Sequence, residues 1–126
     1  MTEIALRVLA RAFTIHRLSP DAPLPPAIVA APFCWIGRTD EELSIVCDAD
    51  LQLTHGKRSS GWACFKVVGP LDFGLTGILA GIADVLAAAD ISIFALSTFD
   101  TDYILVKQDR LEEAVAALRA ADYDVG

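Results

Sequence analysis

Two groups of residues in the second half of the chain have the types and spacing to bind a small zwitterion. The first, residues 74–77 with the sequence GLTG, lies at the start of a predicted helix. Backbone N–H groups there lack intrahelical partners and the helix dipole is positive, so a carboxylate binds readily. The second is Asp100 and Asp102 in the run TFDTD, where a carboxylate would pair with an ammonium group. Together they would hold both charged ends of one ligand.

Both groups also have a plainer structural interpretation. Gly74 and Gly77 would shape a turn and allow close packing of a helix on a sheet, and Gly81, four residues further on, favours that view. Asp100 and Asp102 would be solvated acids of a hairpin loop. The residue types alone therefore leave binding and packing open.

Metal ligation and nucleophilic catalysis have less support. His16 and His55 are far apart, and neither has an acidic or cysteine partner at ligand spacing. The cysteines Cys34, Cys47 and Cys64 match no zinc pattern, and no candidate base lies near them in sequence. We expect reduced, buried thiols and predict no metal site.

Nucleotide and phosphate chemistry also lack their motifs. Gly69 and Gly74 have the spacing of a phosphate loop, but Leu75 follows where that motif needs lysine. Acylphosphatase-like chemistry on a fold of mixed strands and helices calls for an arginine in the loop between the first strand and the first helix. No arginine lies between Pro70 and Gly77, where that loop is predicted. The sequence therefore predicts no catalytic residue and no cofactor.

The charge balance restricts the partners. Ten Lys and Arg against seventeen Asp and Glu give a net charge of −7, which repels phosphate backbones and anionic lipid. The longest uncharged segment, residues 22–37, carries four prolines, and charged residues interrupt the apolar N-terminus. We expect a cytoplasmic protein that binds neither nucleic acid nor membrane.

Hydrophobic periodicity in the second half predicts one complete unit of mixed structure. Its strands and helices fall, in the order βαββαβ, at residues 62–68, 75–89, 91–97, 103–107, 109–118 and 123–125. Asp109 and Glu112 have the spacing of a capping box with Asp109 as the cap. The two middle strands are expected to pair as an antiparallel hairpin. This is the order of a ferredoxin-like unit.

The first half repeats part of that pattern at an offset of 102 − 42 = 60 residues, since EELSIVCDADL aligns with TDYILVKQDRL. The repeat predicts a strand at residues 13–16 and a hairpin of residues 33–37 with 43–47. Prolines between residues 20 and 32 leave room for only a short helix. Residues 52–61 are predicted to form an exposed basic connection. We therefore predict two domains, residues 1–60 and residues 61–126.

Residues 69–106, GPLDFGLTGILAGIADVLAAADISIFALSTFDTDYILV, resemble the ACT domain family, and within it the tandem-ACT subfamily of CASTOR-type amino-acid sensors. The resemblance implies an α+β fold of two ferredoxin-like ACT units packed side by side, the N-terminal one degenerate. It implies an amino acid held beside the first strand and the loop after it, without turnover. The implied ligand-binding residues are Phe73, Gly74, Leu75, Thr76, Gly77, Ile78, Thr98, Phe99, Asp100 and Asp102.

The expected function is that of a sensor, which responds to a free amino acid by changing its assembly or its binding to an unidentified regulated protein. Arginine-binding members carry an acidic residue where this chain has Leu75, so a smaller or apolar amino acid is expected. Unpaired sheet edges favour a homodimer. The alternative is a structural ACT-type association module without a ligand.

Overall fold

The computed structural model describes residues 4–51, 53–68 and 77–126, and within these ranges the predicted α+β fold of ferredoxin-like type is confirmed. The strands are β1 (Ala5–Val8), β2 (Phe13–Leu18), β3 (Cys34–Arg38), β4 (Leu43–Asp48), β5 (Lys57–Val67), β6 (Phe94–Ser97), β7 (Asp102–Lys107) and β8 (Asp124–Val125). The helices are α1 (Pro26–Val29), α2 (Ile78–Ala88) and α3 (Leu111–Ala120). None of these helices has the length and apolar content needed to cross a membrane.

The chain divides into two compact units. The N-terminal unit is Arg11–Trp62, and the C-terminal unit is Ala63–Gly126 together with the segment that ends at Ala10. The boundary between the units therefore follows Trp62, two residues beyond the predicted boundary. The strand β1 belongs to the C-terminal unit. The assignment of the two halves as separate ACT domains stays a prediction.

The sheet of the C-terminal unit has the order β6, β7, β5, β1 and β8. The predicted hairpin is confirmed, since β6 and β7 pair antiparallel from Phe94 with Leu105 to Ser97 with Asp102. The predicted closing strand is also present as β8, which pairs parallel with β1. The sequence pattern does not predict β1, a strand of four residues that lies between β5 and β8.

The core of the C-terminal unit lies between this sheet and the apolar faces of α2 and α3. Ile82 and Leu86 of α2 and Ala114 and Leu118 of α3 are buried with the sheet residues. Burial of a side chain the size of Ile or Leu stabilises a fold by about 1.5 to 3 kcal/mol. The apolar spacing that predicts α2 therefore identifies its buried face.

The start of α3 differs from the prediction. Asp109 lies in a 3₁₀ turn, Gln108–Arg110, and the residue that precedes α3 is Arg110, with no side-chain cap bond. The extra turn moves the start of the helix beyond Asp109, so the capping-box prediction is wrong. The Arg110 guanidinium instead donates to the carbonyls of Ala89 and Asp90 and to the Glu113 carboxylate.

The sheet of the N-terminal unit contains β3, β4, β2 and the first part of β5. The predicted hairpin is confirmed by the antiparallel pairing of β3 with β4, from Cys34 with Cys47 to Arg38 with Leu43. The predicted short helix is present as α1. The prediction that residues 52–61 form a connection is wrong from Lys57 onward, because β5 begins there and pairs with β2.

Candidate ligand-binding site

The connection between β6 and β7 is a tight turn held by the two threonines at its ends. The Thr98 amide donates to the Thr101 carbonyl at 2.8 Å, and the Thr101 amide donates to the Thr98 hydroxyl at 3.3 Å. Phe99 and Asp100 lie at the tip, where Phe99 is 81% exposed and Asp100 is exposed. The turn therefore presents an aromatic ring and a carboxylate to solvent.

Thr101 fastens this turn to the end of β5. Its side chain is only 5% exposed, and its hydroxyl donates to the carbonyl of Val67, the last residue of β5, at 2.7 Å. The turn thereby lies beside the point where β5 leads into the predicted binding segment. Thr101 is not among the residues predicted for the site, because nothing in the run TFDTD distinguishes its buried threonine from the exposed one.

Asp102 lies directly opposite Ser97 in the first residue pair of the hairpin. The Ser97 hydroxyl donates to one carboxylate oxygen of Asp102, and the residue is half-buried. An ionised carboxylate accepts several hydrogen bonds through its two oxygens. The bond from Ser97 thus orients Asp102 and leaves acceptor capacity for an ammonium group.

Gly77 precedes α2 in the left-handed backbone region, with φ of 82°. No described atom lies within 4 Å of the position that a Cβ would take there, so close packing does not explain this glycine. A Cβ on Gly81, in contrast, would lie 2.8 Å from the hydroxyl of Tyr123. The positive φ therefore explains why a glycine stands at position 77, whereas close packing against Tyr123 explains the glycine at position 81.

No side chain among the described residues caps the start of α2, and its first turn has no acidic residue. Ile78, the first helical residue, is half-buried. The amides of this turn have no intrahelical acceptors, which suits them to an anion. The predicted residues Phe73, Gly74, Leu75 and Thr76 lie outside the described residues, so the complete site stays a prediction.

Burial lowers the reactivity of two cysteine thiols elsewhere in the chain. Burial raises the pKa of the Cys64 thiol to about 12, and burial with a smaller effect of Asp48 and Cys34 raises that of Cys47 to about 11. Both thiols are free and protonated at neutral pH, whereas Cys34 is half-buried rather than buried as expected. Within residues 4–51, 53–68 and 77–126 no group of three His, Cys, Asp or Glu side chains is placed to hold a metal.

Sequence comparisons match both parts of the chain. Residues 57–120 match the ACT domain family, and residues 11–51 match a family described as an N-terminal domain. The chain is 37% identical to the cytosolic arginine sensor for mTORC1 subunit 1 of Pongo abelii, over 92% of this chain and 38% of that relative. It therefore spans less than two-fifths of the length of this relative.

Two solved structures are similar over nearly the whole chain. A protein of Agrobacterium tumefaciens superposes with a TM-score of 0.91 at 36% identity, covering 100% of this chain and 94% of its own. The regulatory subunit of aspartate kinase from Thermus thermophilus superposes with a TM-score of 0.69 at 12% identity, covering 95% and 99%. The second likeness establishes the fold alone.

Proposed function

The chain belongs to the ACT domain family, and from that premise we propose that it is a regulatory protein that binds a free amino acid and catalyses no reaction. The names of its relatives support a sensing role. Their description as cytosolic sensors also supports a cytoplasmic location.

The observation that carries the proposal is the bond from Thr101 to Val67, which fixes the β6–β7 turn beside the end of β5. The turn leads into Asp102, whose carboxylate is oriented by Ser97. The segment after β5 leads into Gly77 and the uncapped start of α2. In the proposed complex, Asp102 accepts from the ammonium group, and the amides at the start of α2 donate to the carboxylate.

The side chain of the ligand is proposed to be small or apolar. Leu75 supplies no carboxylate to pair with a cationic side chain. A guanidinium that leaves water on binding and finds no acidic partner would lose hydration without compensation. Arginine, which the Pongo abelii relative is named for sensing, is therefore expected to bind more weakly than a small or apolar amino acid.

A thermal-shift screen of the free amino acids tests the proposal. A ligand that binds only the folded state at a concentration of about a hundred times its Kd adds about 2.7 kcal/mol to the free energy of unfolding. A clear rise of Tm is expected with at least one amino acid. If none raises Tm at millimolar concentration, the association module without a ligand is the better description.

Two variants then locate the site by titration calorimetry. Gly77→Asp places a like charge near the ligand carboxylate and should abolish binding. Asp102→Ala removes the acceptor for the ammonium group and should weaken binding about tenfold or more. Asp84→Ala, which removes an exposed carboxylate within α2, is the matched control and should bind as the parent does. Unaltered binding by folded Gly77→Asp and Asp102→Ala would place the ligand elsewhere.

A further inference from the structure

The N-terminal unit contains an open apolar groove that the proposed amino-acid site does not use. This groove, called here the proline groove, has a volume of about 640 Å³ and is lined by Leu18, residues 22–26 and residues 53–55. Its volume falls in the range of roughly 300 to 1,000 Å³ that is usual for small-molecule sites. Three of the lining residues are Pro23, Pro25 and Pro26, so one wall presents apolar rings.

The proline wall of the groove is held in place by hydrogen bonds from a neighbouring strand. On the proline side, the Arg38 guanidinium donates to the carbonyls of Pro20 and Ala22. Gly56 lies directly after the opposite wall; it has φ of 83°, and a Cβ there would lie 2.4 Å from the carbonyl oxygen of Arg17, so the chain passes close to β2 at this point. A preformed groove binds with a smaller ordering cost than one that must be assembled.

A polar recess of about 350 Å³ adjoins the proline groove and shares the wall formed by residues 53–55. It is also lined by Gly56 and Arg58, which do not line the proline groove. The Arg58 guanidinium makes no hydrogen bond or ion pair with any described residue. No Asp or Glu is among the described residues that line either space. In a chain of net charge −7, this recess is locally cationic.

We propose that the proline groove and its recess form a second binding site, for an apolar monocarboxylate. The Arg58 guanidinium pairs with the carboxylate, since its planar donors match that group bidentately. The apolar body of the ligand lies along the prolines and Leu18. The absence of an acidic lining residue disfavours a free amino acid there, because its ammonium group would have no partner.

Titration of the intact chain with octanoate, followed by calorimetry and NMR, tests the proposal. Octanoate is expected to bind and to shift the resonances of His55, whereas octylamine and leucine are expected to bind far more weakly. 1-Octanol, which has the same chain without the charge, should bind with lower affinity than octanoate. Equal binding of octanoate and octylamine would overturn the assignment of a carboxylate to the recess.

Variants separate the charge of the recess from the charge of the surface in general. Arg58→Gln should weaken octanoate binding about tenfold or more, because a charge-assisted pair is lost. Lys57→Gln removes an exposed charge from the adjacent position of β5 and should leave binding unchanged. Leu24→Ser, at a residue that is 37% exposed, should weaken binding without unfolding the unit. Equal losses in Arg58→Gln and Lys57→Gln would refute the site.

The buried imidazole of His16 supplies an independent readout. Its pKa is lowered first by burial and then by the charge of Arg58, which lies opposite it in the sheet. A carboxylate bound at Arg58 would offset that charge, so octanoate should raise the pKa of His16 in an NMR pH titration. An unchanged pKa at saturating octanoate would contradict binding at Arg58.

Discussion

His16 lies in β2 with a side chain only 2% exposed, and neither ring nitrogen has a hydrogen-bond partner among the described residues. Burial and the nearby Arg58 hold its pKa below the ordinary value of 6.5. The folded chain therefore keeps His16 neutral at a pH where the unfolded chain protonates it. This stabilising difference is present above pH 6.5 and is lost as the pH falls through the lowered folded pKa.

The free energy of unfolding is accordingly expected to fall as the pH drops from the ordinary value of 6.5 towards the lowered pKa of the folded chain, with a slope from this one residue of at most about 1.4 kcal/mol per pH unit. Denaturant titration at several pH values measures it. His16→Leu should show a smaller slope than the parent, because the variant lacks the buried imidazole. Identical slopes in the parent and His16→Leu would rule out His16 as the source.

Sequence reasoning reaches some residues of the candidate site and not others. Asp102 can be predicted, because an acidic residue beside a predicted hairpin turn is evident in the sequence pattern. Thr101 is not, because its role depends on the carbonyl of Val67, a backbone partner 34 residues away. The contrast between Gly77 and Gly81 is also invisible in sequence, since it depends on a backbone angle and on the hydroxyl of Tyr123.

The β6–β7 hairpin positions the candidate site through one buried hydrogen bond, from Thr101 to Val67. Thr101→Val keeps the shape of the side chain and removes the hydroxyl, which leaves a carbonyl without that donor. Such a change costs about 1 to 3 kcal/mol. We expect Thr101→Val to lower the denaturation midpoint and to speed amide exchange in the turn, and Thr101→Ser to do so less. A parent-like Thr101→Val would show that the bond does not hold the turn.

The spacing of apolar residues predicts those strands and helices whose own residues favour the observed conformation. The hairpins at β3–β4 and β6–β7 follow from short apolar runs on either side of polar turns, and α2 follows from its apolar spacing. The first half of β5 is not predicted from the sequence, because Lys57 and Arg58 are exposed and their segment is polar. Its strand conformation comes from backbone pairing with β2, which sequence pattern does not report.

At the scale of the whole molecule, each of the two units combines a sheet with at least one helix, and each contains a different candidate site. The site in the C-terminal unit has acidic Asp102 and an uncapped helix start, which suit a zwitterion. The proline groove in the N-terminal unit has a cationic end and no acidic lining residue among those described. If both proposals hold, the chain responds to two chemically distinct ligands, and each leaves the other's key residues untouched.

Assembly is the remaining property of the whole molecule that its strands bear on. Among the described residues, β3 pairs only with β4, and β6 pairs only with β7, so each has one edge without a strand partner. Such edges are open to pairing with another chain, and covering them is a common reason for self-association.

We expect a homodimer, with a mass of twice 13.5 kDa in light scattering coupled to size exclusion. Ala95→Lys, at an exposed position of β6, should favour the single chain if that edge is the contact, because an edge lysine opposes strand pairing. A mass of one chain for the parent, both with and without amino acid at micromolar concentration, would show that the edges are left unpaired.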